Sequence, residues 1–205
     1  MLKVLLVKRN IDPCRGMWQL PGGWIGENEA MDSAAQRILE EATGVPNIYM
    51  EQLRAFGGVE RYPDFRIITI GYTALIKPEN YPLRHGLETS DVRWFDAKNI
   101  PTLAFDHKEI AEYALESLKK KIREEPISFE LLPSKFTLPE IQALYESVLD
   151  EPLDRRNFRK KILSMEILER LDETQQGGAH RAPRLYRFDR KRYKKRTEEG
   201  FVFEF

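Results

Sequence analysis

The chain has 205 residues, 41% of them hydrophobic, enough for one medium domain or two small ones with a sizeable core. Its 33 basic and 33 acidic residues cancel, yet residues 155 to 196 hold 15 Lys/Arg against five acids (Glu166, Glu169, Asp172, Glu173 and Asp189), a local excess of ten that suggests a polyanionic partner. One cysteine, Cys14, excludes a disulfide framework within the chain, no apolar run approaches the roughly 18 residues of a membrane span, and the start MLKVLLVKRN is a charged strand rather than a signal peptide, so a cytoplasmic setting and no membrane partner are expected.

Leu2 to Lys8 is apolar and β-rich, and a loop with Pro13 and Gly16 follows. Trp18 to Leu20 leads into Pro21-Gly22-Gly23, a turn signal. Ser33 is expected to cap a helix running to about Thr43, with Gly44 at the left-handed closing position. Ile48 to Phe56 and Arg66 to Ile76 read as strands, the second alternating Ile68, Ile70, Tyr72 and Ala74. Trp94-Phe95 marks another strand. His107 to Arg123 reads as a helix with an apolar stripe of Ile110, Tyr113, Ala114, Leu115 and Leu118. Composition changes at Glu125-Pro126, which divides the chain into domains 1–125 and 126–205. The first is a mixed α/β domain. In the second, Leu138 to Leu149 is an amphipathic helix with Pro139 in its first turn, and Asp154 caps a second helix, Arg155 to Ser164. Two short helices around the Glu151-Pro152 break form a helix-turn-helix pattern. Residues 167 to 188 alternate on both sides of Gln175-Gln176-Gly177-Gly178, as a hairpin or wing would. The last ten residues carry no clear assignment.

Residues 23 to 45 read GWIGENEAMDSAAQRILEEATGV. This run resembles the Nudix box, G-x5-E-x7-R-E-U-x-E-E-x-G-U with U aliphatic. Gly23, Glu29, Arg37, Leu39, Glu41, Gly44 and Val45 fall on the pattern, and Leu20 to Gly23 match the LPGG that precedes it. In the Nudix fold, carboxylates one, four and five residues after the Arg share a helix face and hold Mg²⁺ against a pyrophosphate. Here the first is Ile38 and the last is Ala42, leaving Glu41 alone as a candidate metal ligand. Neither Ile nor Ala binds a hard cation. The remnant positions Glu29, Arg37 and Glu41 are therefore expected to serve as scaffold, with an ion pair between Arg37 and Glu41, and no catalytic residue or metal is expected.

Beyond the box, the stretch Tyr49 to Ile76 and the later FDHKEI, LLPSKFTLPEIQALYE and LDRRNFRKKI are similar to the Nudix-related transcriptional regulators. The resemblance covers nearly the whole chain. It implies an α+β Nudix sandwich fused to a C-terminal winged helix-turn-helix, with ADP-ribose-sensing and arabinose-sensing branches. It also implies a strand ahead of the one that opens this chain. Such regulators bind duplex DNA as homodimers on near-palindromic sites.

Within the second helix, Phe158 and Ile162 are four residues apart and face a core. Arg155, Arg156 and Asn157, near the helix start, are the candidates for base edges, since Arg suits guanine and Asn adenine. Arg159 is also left for DNA. Lys160, Lys161, Arg181, Arg184, Lys191 and Arg192 are the candidates for phosphates. Candidate effector residues are Trp18, Arg37, Glu41, Arg61, Arg66 and Tyr72, with Trp18 and Tyr72 serving equally well as core. Arg61 and Arg66 flank Tyr62-Pro63-Asp64 and suit an anionic ligand such as ADP-ribose. Loss of the metal face removes the usual cation for a phosphate, which tilts the expectation toward a pentose. No cofactor is required by this reading. The alternative is an active Nudix hydrolase of nucleoside diphosphate derivatives such as ADP-ribose, which would need Mg²⁺.

Overall fold

A computed structural model describes residues 2–175 and 182–205. The chain divides into two compact units, Leu2–Leu115 and Glu116–Phe205. Among the described residues no helix is long and apolar enough to cross a membrane.

The first unit contains β1 (Lys3–Arg9), β2 (Trp18–Gln19), α1 (Met31–Thr43), β3 (Glu51–Phe56), β4 (Thr69–Thr73), β5 (Thr89–Asp96) and the first half of α2 (His107–Glu124). β1 lies between β2 and β5 in an antiparallel sheet, with Leu5 opposite Trp94. β3 and β4 form a separate antiparallel pair. One apolar cluster joins Leu6, Leu103 and Ala111 to Val4, Trp18, Leu20, Phe95 and Ile100. Inside and outside alternate along a strand, so Val4 and Leu6 lie on one face of β1.

Three local expectations need correction. Ser33 does not cap α1, because the helix has already begun at Met31 and its N-cap, Ala30, has no side-chain bond. The entry is held instead by Glu29, whose carboxylate accepts from Gly26 N–H at 3.1 Å and from Arg37. The close at Gly44 is as expected, with φ 77°. β4 is shorter than the expected Arg66–Ile76: Ile68 lies ahead of it and is 64% exposed, and the buried position within the strand is Gly71. The Phe56 ring occupies the space beside Gly71, and a Cβ there would come within 2.9 Å of it, so the burial of Gly71 follows from that ring. In α2, Ile110, Ala111 and Ile122 are buried, while Tyr113 lies at the surface under the Arg54 guanidinium at 4.3 Å.

The second unit holds the rest of α2, α3 (Ser128–Leu131), β6 (Phe136–Thr137), α4 (Leu138–Leu149), α5 (Arg155–Ser164), β7 (Leu168–Thr174), β8 (Arg184–Phe188) and α6 (Arg190–Glu198). β8 pairs with β6 on one side and β7 on the other, all antiparallel. α4 starts in a capping box: Thr137 Oγ1 accepts from Glu140 N–H, and the Glu140 carboxylate accepts from Thr137 N–H at 2.6 Å. Asp154 caps α5 by accepting from Asn157 N–H at 2.8 Å. The core gathers Phe136, Ile141, Tyr145, Phe158, Ile162, Ile167 and Phe203. The expected hairpin is present as β7 and β8, while its turn at Gln176-Gly177-Gly178 lies outside the described residues.

The C-terminal end is more ordered than its sequence suggested. Asp189 caps α6 by accepting from Arg192 N–H at 2.9 Å. Phe203 is buried and Phe205 packs on Tyr145 at 4.2 Å, while Phe205 N–H donates to the Arg123 carbonyl at 2.8 Å. The alternation Phe201, Phe203, Phe205 was the available signal, but three residues are too few to establish a period.

Candidate functional site

The box builds its geometry around Arg37, on α1. Its Nε and Nη2 donate to the two Glu29 oxygens at 2.8 and 2.7 Å, and Nη1 donates to Glu41 at 3.1 Å. A further bond runs from Nη2 to the Trp24 carbonyl at 3.0 Å. The expected Arg37–Glu41 pair is present, and Glu29 joins it by the two-pronged contact that a planar guanidinium favours. Hydrogen bonds from Arg37 and from Gly26 N–H hold the Glu29 carboxyl at about 2, against an ordinary 4.5, and the same contact raises the Arg37 pKa.

The face that carries metal in a Nudix fold is different chemistry here. Ile38 packs on Gly23 so closely that a Cβ at 23 would meet its side chain at 3.1 Å. Ala42 presents a methyl group, and one Glu41 oxygen is engaged by Arg37. A hard dication needs several oxygen donors, and hydrocarbon supplies none. This donor set does not fit Mg²⁺, and among the described residues no three His, Cys, Asp or Glu stand close enough to hold a metal.

The remaining effector candidates are dispersed. Tyr72 donates its hydroxyl to Asp32 at 2.7 Å, which ties β4 to the first turn of α1 and raises the phenol pKa. Trp18 belongs to the core, edge-on to Phe95 at 4.7 Å. Arg61 is buried and donates twice to Asp106, both at 2.8 Å. Arg66 donates to the Gly58 carbonyl at 2.8 Å. Thus Arg37, Glu41 and Tyr72 gather around α1, and Arg61 borders a separate open cleft with Glu60, Pro63 and Phe105. The sequence reading missed His107, whose Nδ1 accepts from Leu20 N–H at 3.0 Å and so fixes the LPGG turn. Burial lowers its pKa to about 4. It also missed the rings of Trp24, Tyr62, Phe65 and Phe105.

In the second unit, α5 buries Phe158 and Ile162 and leaves Arg155, Arg156, Asn157, Arg159, Lys160 and Lys161 exposed. Arg156, Asn157, Arg159 and Lys160 line an open concavity with Leu163. None of the five cations on α5 pairs with a carboxylate among the described residues. Neighbouring cations behave differently: Lys135 pairs with Glu173, Arg187 with Glu169, and Arg196 with Glu166. Of the phosphate candidates, Arg184 lies 3.7 Å from Asp172 and Arg192 3.5 Å from Asp189. Lys191 is exposed on α6, and Arg181 lies outside the described residues. A helix surface of unneutralised guanidinium, ammonium and amide groups can donate to phosphate oxygens and base edges.

Comparison with known proteins agrees with both halves. Residues 2–116 match the NUDIX domain, and residues 128–188 match the NrtR DNA-binding winged helix domain. The ADPR responsive transcriptional repressor NtrR of Acinetobacter baylyi is 32% identical over 191 residues, spanning 91% of this chain and 76% of that protein. Shewanella oneidensis NrtR complexed with a 27mer DNA superposes with a TM-score of 0.73 at 33% identity, covering 91% of this chain and 86% of its own. The NUDIX domain of the same protein, complexed with ADP ribose, superposes with a TM-score of 0.52 at 38% identity, covering 57% of this chain and 77% of its own. An ADP-ribose pyrophosphatase of Methanocaldococcus jannaschii is 32% identical over 108 residues, 53% of this chain and 63% of that protein.

Proposed function

Because the chain belongs to the Nudix-related transcriptional regulators with an NrtR-type winged helix, we propose that it is a DNA-binding repressor whose Nudix domain binds ADP-ribose without hydrolysing it. The observation that carries the DNA half is the exposed face of α5, where five cations stand without carboxylate partners among the described residues. Arg155, Arg156 and Asn157, at the start of the helix, read bases, while Lys160 and Lys161 neutralise phosphates. The effector is taken from the relatives, which are named for ADP-ribose rather than a pentose, and this reverses the expectation drawn from the missing metal face. Two copies act together on a near-palindromic site in the cytoplasm, and ADP-ribose shifts the placement of their winged helices by binding one arrangement better than the other.

The test is duplex binding followed by anisotropy, with the site selected from random-sequence DNA. Arg156→Ala costs about 1–3 kcal/mol and relaxes sequence preference. Absence of binding even at low salt removes the DNA reading. ADP-ribose raises the melting temperature, as any ligand of the native state does, and arabinose does not. The pyrophosphatase relative keeps the hydrolase reading open to test: robust Mg²⁺-dependent turnover of ADP-ribose that Glu41→Gln abolishes would replace a sensor with an enzyme.

A further inference from the structure

The helix that carries the DNA reading, α5, has few anchors of its own. Phe158 and Ile162 are buried, Leu163 is half-buried, and the other residues of the helix are exposed. Such a helix takes its position from whatever lies beneath its inward side chains. Beneath Phe158 are two rings. Tyr145, from α4, meets it edge-on at 5.6 Å, and Phe205 meets it at 5.1 Å. Tyr145 and Phe205 also meet each other at 4.2 Å, so the three rings close a triangle.

Phe205 is itself held from outside that triangle. Its N–H donates to the carbonyl of Arg123, in the last turn of α2, at 2.8 Å. The Arg123 guanidinium donates to Glu151, in the turn between α4 and α5, at 3.1 Å. Phe203, two residues earlier, is buried. The same stretch of chain also grips the far end of α5. Glu166, just past the helix, stands at φ 52° and pairs with Arg196 of α6, while Asp189 N–H donates to the Ile167 carbonyl at 2.9 Å. Half-exposed ion pairs contribute little, whereas a buried ring both leaves water and fixes an angle, so the position of α5 depends more on Phe205 than on the charges around it. Phe205 lies beyond residues 128–188, which match the winged helix domain.

We propose that Phe205 is a positioning residue for DNA reading: it wedges beneath Phe158 and sets the angle at which Arg155, Arg156 and Asn157 meet base edges. This rests on the DNA reading above. Asn157 and Phe158 are neighbours in sequence, so a shift of the ring moves the base-reading end of the helix first. Hydrogen bonds to bases weaken steeply with misalignment, while attraction to phosphates acts over several ångströms and tolerates it. Loss of Phe205 therefore costs discrimination rather than charge-driven affinity.

The test compares binding of the full chain to its selected duplex and to a scrambled duplex of equal length, by anisotropy across a range of salt. Phe205→Ala weakens binding to the selected duplex about tenfold and leaves the scrambled duplex and the salt slope unchanged. Phe205→Tyr keeps the ring and stays within about threefold of wild type. Phe205→Leu keeps apolar volume without the ring, so it still loses discrimination if the alanine variant does not fold. Amide exchange in α5 quickens in the alanine and leucine variants, and exchange in α1 of the other unit does not change. Equal weakening toward both duplexes would make Phe205 a matter of stability alone and overturn the proposal. If wild type discriminates and the alanine and leucine variants do so equally well, the role of Phe205 fails and the DNA reading stands. If wild type binds neither duplex at low salt, the DNA reading fails and this role fails with it.

Discussion

Arg37 shows how one side chain can organise a loop and a helix. It reaches Glu29, Glu41 and the Trp24 carbonyl at once, so its guanidinium ties the segment before α1 to the exposed side of that helix. His107 does the corresponding task at the LPGG turn, and it does so only when neutral, because its Nδ1 must accept from Leu20 N–H. Burial, reinforced by Arg61 and Arg9 and opposed by Asp106, lowers its pKa from 6.5 to about 4. Between those values the unfolded chain binds the proton and the folded chain does not, so stability is complete above 6.5 and declines as pH falls toward 4. The gap of about 2.5 units corresponds to about 3 kcal/mol. Urea melts of His107→Gln should therefore vary less between those pH values than melts of the wild type. Parallel pH dependence in the two proteins would mean that His107 is not the titrating group.

Among the elements, α1 and α5 are made by different means. α5 starts with a side-chain cap from Asp154 and presents its length to solvent except at Phe158 and Ile162. α1 has no such cap and depends on what is packed against its ends. At its C-terminus, Arg84 N–H donates to the Thr43 carbonyl at 2.8 Å, and Gly86 approaches the Glu41 carbonyl so closely that a Cβ would lie 2.2 Å from that oxygen. Backbone rather than a flexible side chain is in the way, so Gly86→Ala must move the segment or the helix end. It should destabilise the protein by at least about 1–3 kcal/mol, as overpacked sites do. A chemical-denaturation midpoint unchanged by the substitution would show that the approach is looser than described.

For the molecule as a whole, zero net charge conceals a strongly cationic surface on one helix of the winged-helix unit. Binding through such a surface releases counterions, so affinity falls steeply with salt. Lys160→Ala and Lys161→Ala should each weaken binding across all sequences and reduce the log–log salt slope by about one. Arg156→Ala should instead alter which sequence is preferred. An unchanged slope in both lysine variants would move the phosphate contacts to other residues, with Lys191 on α6 the first to examine.

Features that depend on neighbours along the chain were legible in the sequence. These include the bounds of α4 and α5, the Gly44 close, the Arg37–Glu41 pair and the inward Phe158 and Ile162, because caps and helical periods act over three or four residues. The box also identified the fold. Features that depend on distant residues were not legible. The burial of Gly71 in β4 is set by the Phe56 ring beside it, and α6 with the terminal phenylalanines is held by a core drawn from α2, α3, α4, α5, β6, β7 and β8. Arg61 looked free for a ligand until Asp106, 45 residues away, closed on it. Trp24 and Phe65, separated by a helix and one strand in sequence, come together only after folding. Local periodicity fixes helices and their faces, whereas the partners of a buried charge or an exposed ring are chosen by the tertiary fold.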